Sequence, residues 1–274
     1  MNTNHRGIPP IPTKRKSNSP FDWHKVEHLS VSTINTWVMN PSSILYKIAG
    51  GKDDAGPSAW RGNATETALY HAMQDPNQLD EVYHNIALND FDKRTKKGHD
   101  WRKIDIQRKH TIDYVNAGLS FYKKLGVPSG YQKRILVEFD ELEIPFVGYI
   151  DFEFGEKGKN HQIRDLKTSV QKLNRLSDAN CRQLALYQKG AGDSDTALWI
   201  DSCSRHEIIS LRLKNSEPYL KDLLHKALGL RKFLSISSDI NELLQMIQPD
   251  YDHWLWSNAE TKKQAKVIWE KKID

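Results

Sequence analysis

The spacing of apolar and polar residues changes period several times along the chain, and each change predicts an element. In PSAWRGNATETALYHAMQ (57–74) apolar and small residues recur three and four apart, the mark of one helix face. Pro57 suits its first turn and Asp75-Pro76 closes it. Ala59, Gly62, Ala64, Ala68 and Ala72 are small, so this helix can approach a neighbour closely. A second helical period runs to Leu125, with Ile104, Ile112, Val115, Leu119 and Tyr122 as its buried stripe, and Gly126-Val127-Pro128 breaks it. The period then shortens to two. Tyr131–Phe139, about Ile144–Phe154 and about Gln162–Lys167 read as an antiparallel meander with a turn at Gly155–Gly158. Helical spacing returns in SDANCRQLALYQKG, where Ser177 is the N-cap. Two more strands (about 196–202 and 207–212) precede helices over about 217–234 and 240–247 and a lysine-rich one to about Lys272. Upstream, LSVSTINTWVMNPSS predicts a short helix capped by Ser30 or Ser32 and ended by Asn40-Pro41, with another from Ser42 to Ala49.

This order predicts one α+β domain over residues 29–274, in which a central mixed β-sheet of about five strands is flanked by helices. Helical additions lie at both ends, the C-terminal one over about 215–274. Residues 1–28 read as a disordered basic arm, carrying Pro, Asn, Ser and the run Lys14-Arg15-Lys16.

Composition narrows the function classes. With 38% hydrophobic and 27% charged residues, the 274-residue chain has an ordinary soluble composition. It shows neither an apolar run of membrane-spanning length nor a secretion signal, so an intracellular, cytoplasmic protein without a membrane partner is expected. Cys181 and Cys203 are too few for a four-thiolate zinc or iron–sulfur site. A net charge of +5 permits nucleic-acid binding. Positive charge concentrates in residues 91–110, interleaved with Phe91, Trp101 and His110, and the following helix would show Lys103, Arg108 and Lys109 on its outer face.

The candidate chemistry sits in IPFVGYIDFEFGEKGKNHQIRDLKT (144–168). Asp165 and Lys167, two apart on a strand, share one face while Leu166 takes the other, and Asp151 stands within cross-strand reach. Two carboxylates and a lysine on one sheet face make a candidate metal site with a catalytic ammonium. Glu66 shares a helix face with Gly62 and Tyr70; taken alone, a solvated Glu is the plainer reading. His71 lies five positions on, about 140° round the helix, so it does not share a metal with Glu66 and stands as the second candidate for the same role. Gln183 and Tyr187, four apart, also share a face.

Gly62-xxx-Glu66 on a helix, Gly148-Tyr149-Ile150-Asp151, Asp165-Leu166-Lys167-Thr168 and Gln183-xxx-Tyr187 resemble, in this order, the motifs of the PD-(D/E)XK nucleases. The closest branch is the RecB-type and lambda-exonuclease-like (YqaJ-like) group. LSVSTINTWVMNP resembles the N-terminal element of RecB-type nucleases, with Asn40 in place of a cysteine, so the likeness spans roughly Leu29–Tyr187. It implies a restriction-endonuclease-like core and a Mg²⁺ (or Mn²⁺) held by Glu66, Asp151, Asp165 and the Leu166 carbonyl. It implies that Lys167 either positions or deprotonates the attacking water or stabilises developing charge. Gln183 and Tyr187 would orient DNA or the shell of the site. Members with an iron–sulfur cluster need four cysteines, so no cluster is expected here. The implied activity is a metal-dependent DNA exonuclease of phage or mobile-element type, acting in recombination, replication or degradation. No helicase motif is present, so it would be free-standing or work with a separate single-strand annealing or replication protein. An endonuclease on the same fold and a non-catalytic nucleic-acid-binding module are the alternatives. Digestion polarity, strand preference and oligomeric state do not follow from the sequence.

Overall fold

The computed structural model describes residues 18–52, 55–95 and 100–270. Among these, the helices are α1 (Pro20–Trp23), α2 (Val31–Met39), α3 (Pro41–Ile48), α4 (Pro57–Gln74), α5 (Asp80–Arg94), α6 (Trp101–Leu125), α7 (Asp178–Ala191), α8 (Glu217–Leu234), α9 (Ile240–Met246) and α10 (Ala259–Glu270). The strands are β1 (Gly130–Val137), β2 (Phe146–Glu156), β3 (Lys159–Thr168), β4 (Ala197–Cys203) and β5 (Ile208–Leu213). They form one mixed sheet in the order β1-β2-β3-β4-β5, antiparallel except between β3 and β4. That parallel pair requires a crossover, and α7 provides it. The protein is therefore α+β, with a five-stranded mixed sheet between helices, as the order of sequence periods predicts.

Each face of the sheet carries its own apolar cluster. On one, Ala68, Leu69, Tyr83, Tyr114 and Val115 of α4–α6 pack against Phe152, Phe154 and Leu166. On the other, α2, α3 and α7–α10 pack against Ile135, Ile163, Leu198 and Ile200. The small residues of α4 act as their size suggests: Ala64, Ala68 and Ala72 are fully buried, and α4 lies against both α5 and α6. In α6 the expected stripe is buried at Val115, Leu119 and Tyr122 and half-buried at Ile104 and Ile112. Helix α5 was not expected. Its signal is short, since only Tyr83, Ala87 and Phe91, four apart, are buried.

One boundary differs from expectation. Residues 1–17 lie outside the described residues, but within 18–28, expected in a disordered arm, Ser19, Pro20, Phe21 and His24 are buried. Ser19 and Asp22 form a capping box on α1, Phe21 is fully buried, and His24 Nε2 meets the Ser237 carbonyl at 2.9 Å. A capping box, a buried aromatic and a buried histidine anchor a segment that composition marks as polar. The C-terminal helices pack into the main core: Leu230, Leu234, Leu243, Trp256 and Trp269 join the cluster under the sheet, and Trp269 Nε1 donates to the Ile247 carbonyl at 2.9 Å. Residues 271–274, and with them the expected helix end near Lys272, lie outside the described residues.

The basic stretch at 91–110 is partly neutralised. Arg94 pairs with Asp90, and Arg108 makes two bonds to Asp92, at 2.7 and 2.9 Å. Lys103 and Lys109 remain exposed, and residues 96–99 lie outside the described residues. Among the described residues, no helix is long and apolar enough to cross a membrane.

Candidate functional site

The sheet forks where the acidic residues stand. β2 pairs with β1 from Phe146 to Glu153 but with β3 only from Phe152 onward, while β3 continues alongside β4 to Thr168. The register of β2 on β3, Phe152 opposite Arg164, would put Asp151 opposite Asp165 as the next pair. The strands part there, and the two carboxylates are not paired across the ladder. Asp151 instead accepts from the Leu166 backbone N–H at 2.9 Å through Oδ2. The side-chain alternation also slips at this level. Tyr131 and Phe152 face the α4–α6 cluster, whereas Ile135 and Ile150 face the α7 side. The residue between the two patterns in β1 is Gln132, held at φ 47°.

From this fork the site builds outward. Asp165 is fully buried; Lys167 Nζ meets its Oδ2 at 2.5 Å, and Gln183 Nε2 donates to its Oδ1 at 2.9 Å. Gln183, on α7, also donates to the Tyr187 hydroxyl at 2.6 Å. The Tyr187 ring reaches β2 because Gly148 has no side chain: a β-carbon there would stand 3.1 Å from it. The expectation that Asp165 and Lys167 share a face opposite Leu166 agrees with this geometry, since Leu166 packs among the α4–α6 residues.

Glu66 enters from α4, on the opposite side of the sheet from α7. It is 8% exposed, which removes the plainer reading of a solvated surface Glu. α4 comes close to the end of β3 at Gly62, where a β-carbon would sit 3.0 Å from Thr168 Oγ1. Buried Arg61 fastens the contact, donating to the Thr168 carbonyl at 3.3 Å with its guanidinium 4.2 Å above the Tyr114 ring. Gln132 then joins Glu66 to the strands: its Nε2 donates to Glu66 Oε1 at 2.5 Å and to Asp151 Oδ1 at 3.3 Å. Sequence reasoning missed Gln132, because nothing about a glutamine in a strand announces a left-handed backbone. Tyr131 beside it stacks on Tyr70 of α4, ring centres 3.9 Å apart. His71 is exposed and takes no part.

The structure thus brings Glu66, Asp151, Asp165, Lys167, Gln183 and Tyr187 into one connected set. Burial, followed by repulsion from Asp165, raises Glu66 to about 7 although Gln132 works against the rise. Burial and the charges of Asp165 and Glu66 hold Asp151 well above the usual carboxylate range. Burial disfavours the Lys167 ammonium, but Asp165, Asp151 and Glu66 outweigh it and raise its pKa above the ordinary lysine value. Lys167 is a cation here.

Three carboxylates face one ammonium, so the site is short of positive charge. Among the described residues no three His, Cys, Asp or Glu side chains form a group ready to hold a metal ion as they stand. The Gln132 amide and the Lys167 ammonium sit among the carboxylates. The donors are all hard oxygens, the kind that Mg²⁺ and Mn²⁺ take.

These shifts predict how stability responds to pH. Glu66 has a folded pKa of about 7 against an ordinary 4.5, so the folded chain binds this proton more tightly than the unfolded chain. Stability from this group is fully present below pH 4.5 and is lost as pH rises through 7, by about 3 kcal/mol in total. Urea titrations in chelator are expected to show a lower unfolding free energy at pH 8 than at pH 5. Glu66→Gln should flatten that slope.

No protein-family model matches the chain, and no curated protein matches it.

Proposed function

We propose that the protein is a Mg²⁺- or Mn²⁺-dependent DNA exonuclease built on a PD-(D/E)XK core. The observation that carries this reading is the fork of β2 and β3, where Asp151 stands beside the Asp165–Lys167 pair and Gln132 ties it to the Glu66 carboxylate from α4. In the proposed enzyme Glu66, Asp151 and Asp165, with the Leu166 carbonyl, hold the metal. When bound, the cation activates water and neutralises charge on the phosphate oxygens. Lys167, charged and one-third exposed, orients the attacking water and stabilises the negative charge that develops at phosphorus. Gln183 fixes the Asp165 carboxylate by its hydrogen bond and holds the Tyr187 hydroxyl beside it, so both act on position. Exposed Lys103 and Lys109 on α6 are available to the DNA backbone.

The test uses purified protein with each metal on end-labelled linear DNA and on covalently closed circles. Degradation of linear DNA with circles intact is expected. Cutting of circles would make the protein an endonuclease on the same fold. If linear and circular DNA both survive and Lys167→Ala behaves like the wild type, the chain is no nuclease.

A further inference from the structure

Gln132 has no role in the motif set, yet it bridges two of its carboxylates from a left-handed backbone. Its neighbours pair normally with β2, Tyr131 with Phe152 and Lys133 with Ile150, so the left-handed backbone is confined to Gln132 itself. A residue with a β-carbon adopts that region at a cost, and such outliers persist where surrounding structure holds them. The result here is specific: the amide reaches Glu66 Oε1 at 2.5 Å and Asp151 Oδ1 at 3.3 Å. The amide turns its –NH₂ end to the two carboxylates, one hydrogen to each. It thereby lies between two of the three carboxylates assigned to the metal. The side chain is otherwise exposed. Beside it opens a cavity of about 210 Å³ lined by Asn63, Glu66, Thr67, Arg94, Tyr131 and Gln132.

We propose that Gln132 is a gate on the metal site: its amide holds the Glu66–Asp151 pair in the metal-free protein and swings into the adjoining cavity when a divalent cation takes its place. The gate rests on the nuclease reading, since it needs a cation at those carboxylates. Its consequence is competition. Each cation bound must displace the amide, so the metal affinity is lower than the carboxylates alone would give.

Calorimetric titration of Mg²⁺ and Mn²⁺ into the full chain tests this without DNA. Gln132→Gly removes the side chain and accepts the left-handed backbone; it is expected to bind both cations about three- to tenfold more tightly, the equivalent of one or two hydrogen bonds released. Gln132→Lys places an ammonium between the same carboxylates; it should raise the melting temperature in chelator and lose metal binding. If Gln132→Gly binds with wild-type or weaker affinity while the wild type binds normally, the gate is overturned and the nuclease reading stands. If the wild type takes up neither cation, the nuclease reading falls and the gate with it.

Discussion

Asp165→Asn is expected to lower DNA hydrolysis at least about a thousandfold, a loss of about 4 kcal/mol of transition-state stabilisation. The reason lies in where Asp165 stands. It is fully buried, touches Lys167 through one oxygen and Gln183 through the other, and is the nearest link between the strand carboxylates and the α7 shell. The amide keeps the shape and hydrogen-bonding size but removes the charge that holds the Lys167 ammonium in place and that would bind the cation of the proposed enzyme. DNA affinity should stay within severalfold, because the exposed lysines of α6 are untouched. Single-turnover cleavage beside a filter-binding titration separates the two effects. Equal loss of binding and cleavage would mean that Asp165 supports the fold rather than the chemistry.

The second large effect is on stability. Arg164→Ala is expected to cost about 3–5 kcal/mol, because it strands a buried charge. Asp201 on β4 is fully buried and accepts from Arg164 (2.7 Å), Ser210 (2.6 Å) and Tyr122 (3.0 Å). The Arg164 guanidinium lies 4.9 Å from the Trp199 ring and 5.3 Å from Phe121. This network locks β3 to β4 one residue before Asp165, so it supports the site without reaching it. The double variant Arg164→Met, Asp201→Asn buries no charge and should recover most of the loss in urea titrations. A single-variant cost under about 1 kcal/mol would show that no charge is stranded, because Asp201 takes up a proton or is reached by water.

Much of the fold was legible because local periods report local faces. Period two put Asp165 and Lys167 on one side of a strand, and spacing by four put Gln183 and Tyr187 on one side of a helix, where they are hydrogen-bonded. The strand meander, the crossover helix and the two later strands followed from the same patterns. α5 escaped because three buried residues in fifteen make a thin stripe. The packing of Phe21 escaped because one aromatic in a polar stretch carries no period.

The sequence by itself determined which residues share a face, and so which carboxylates could act together along one element. Only the tertiary structure decided what each face meets. Glu66 becomes part of the site because α4 rests on the end of β3 through Gly62 and Arg61, a contact between residues about a hundred apart in the chain. The forked sheet and the left-handed Gln132 arise from strands held in register on one side and forced apart on the other. The same long-range contacts created the buried charge balance that raises Glu66 and keeps Lys167 protonated. Periodicity encodes direction within an element; burial and charge coupling exist only once elements touch.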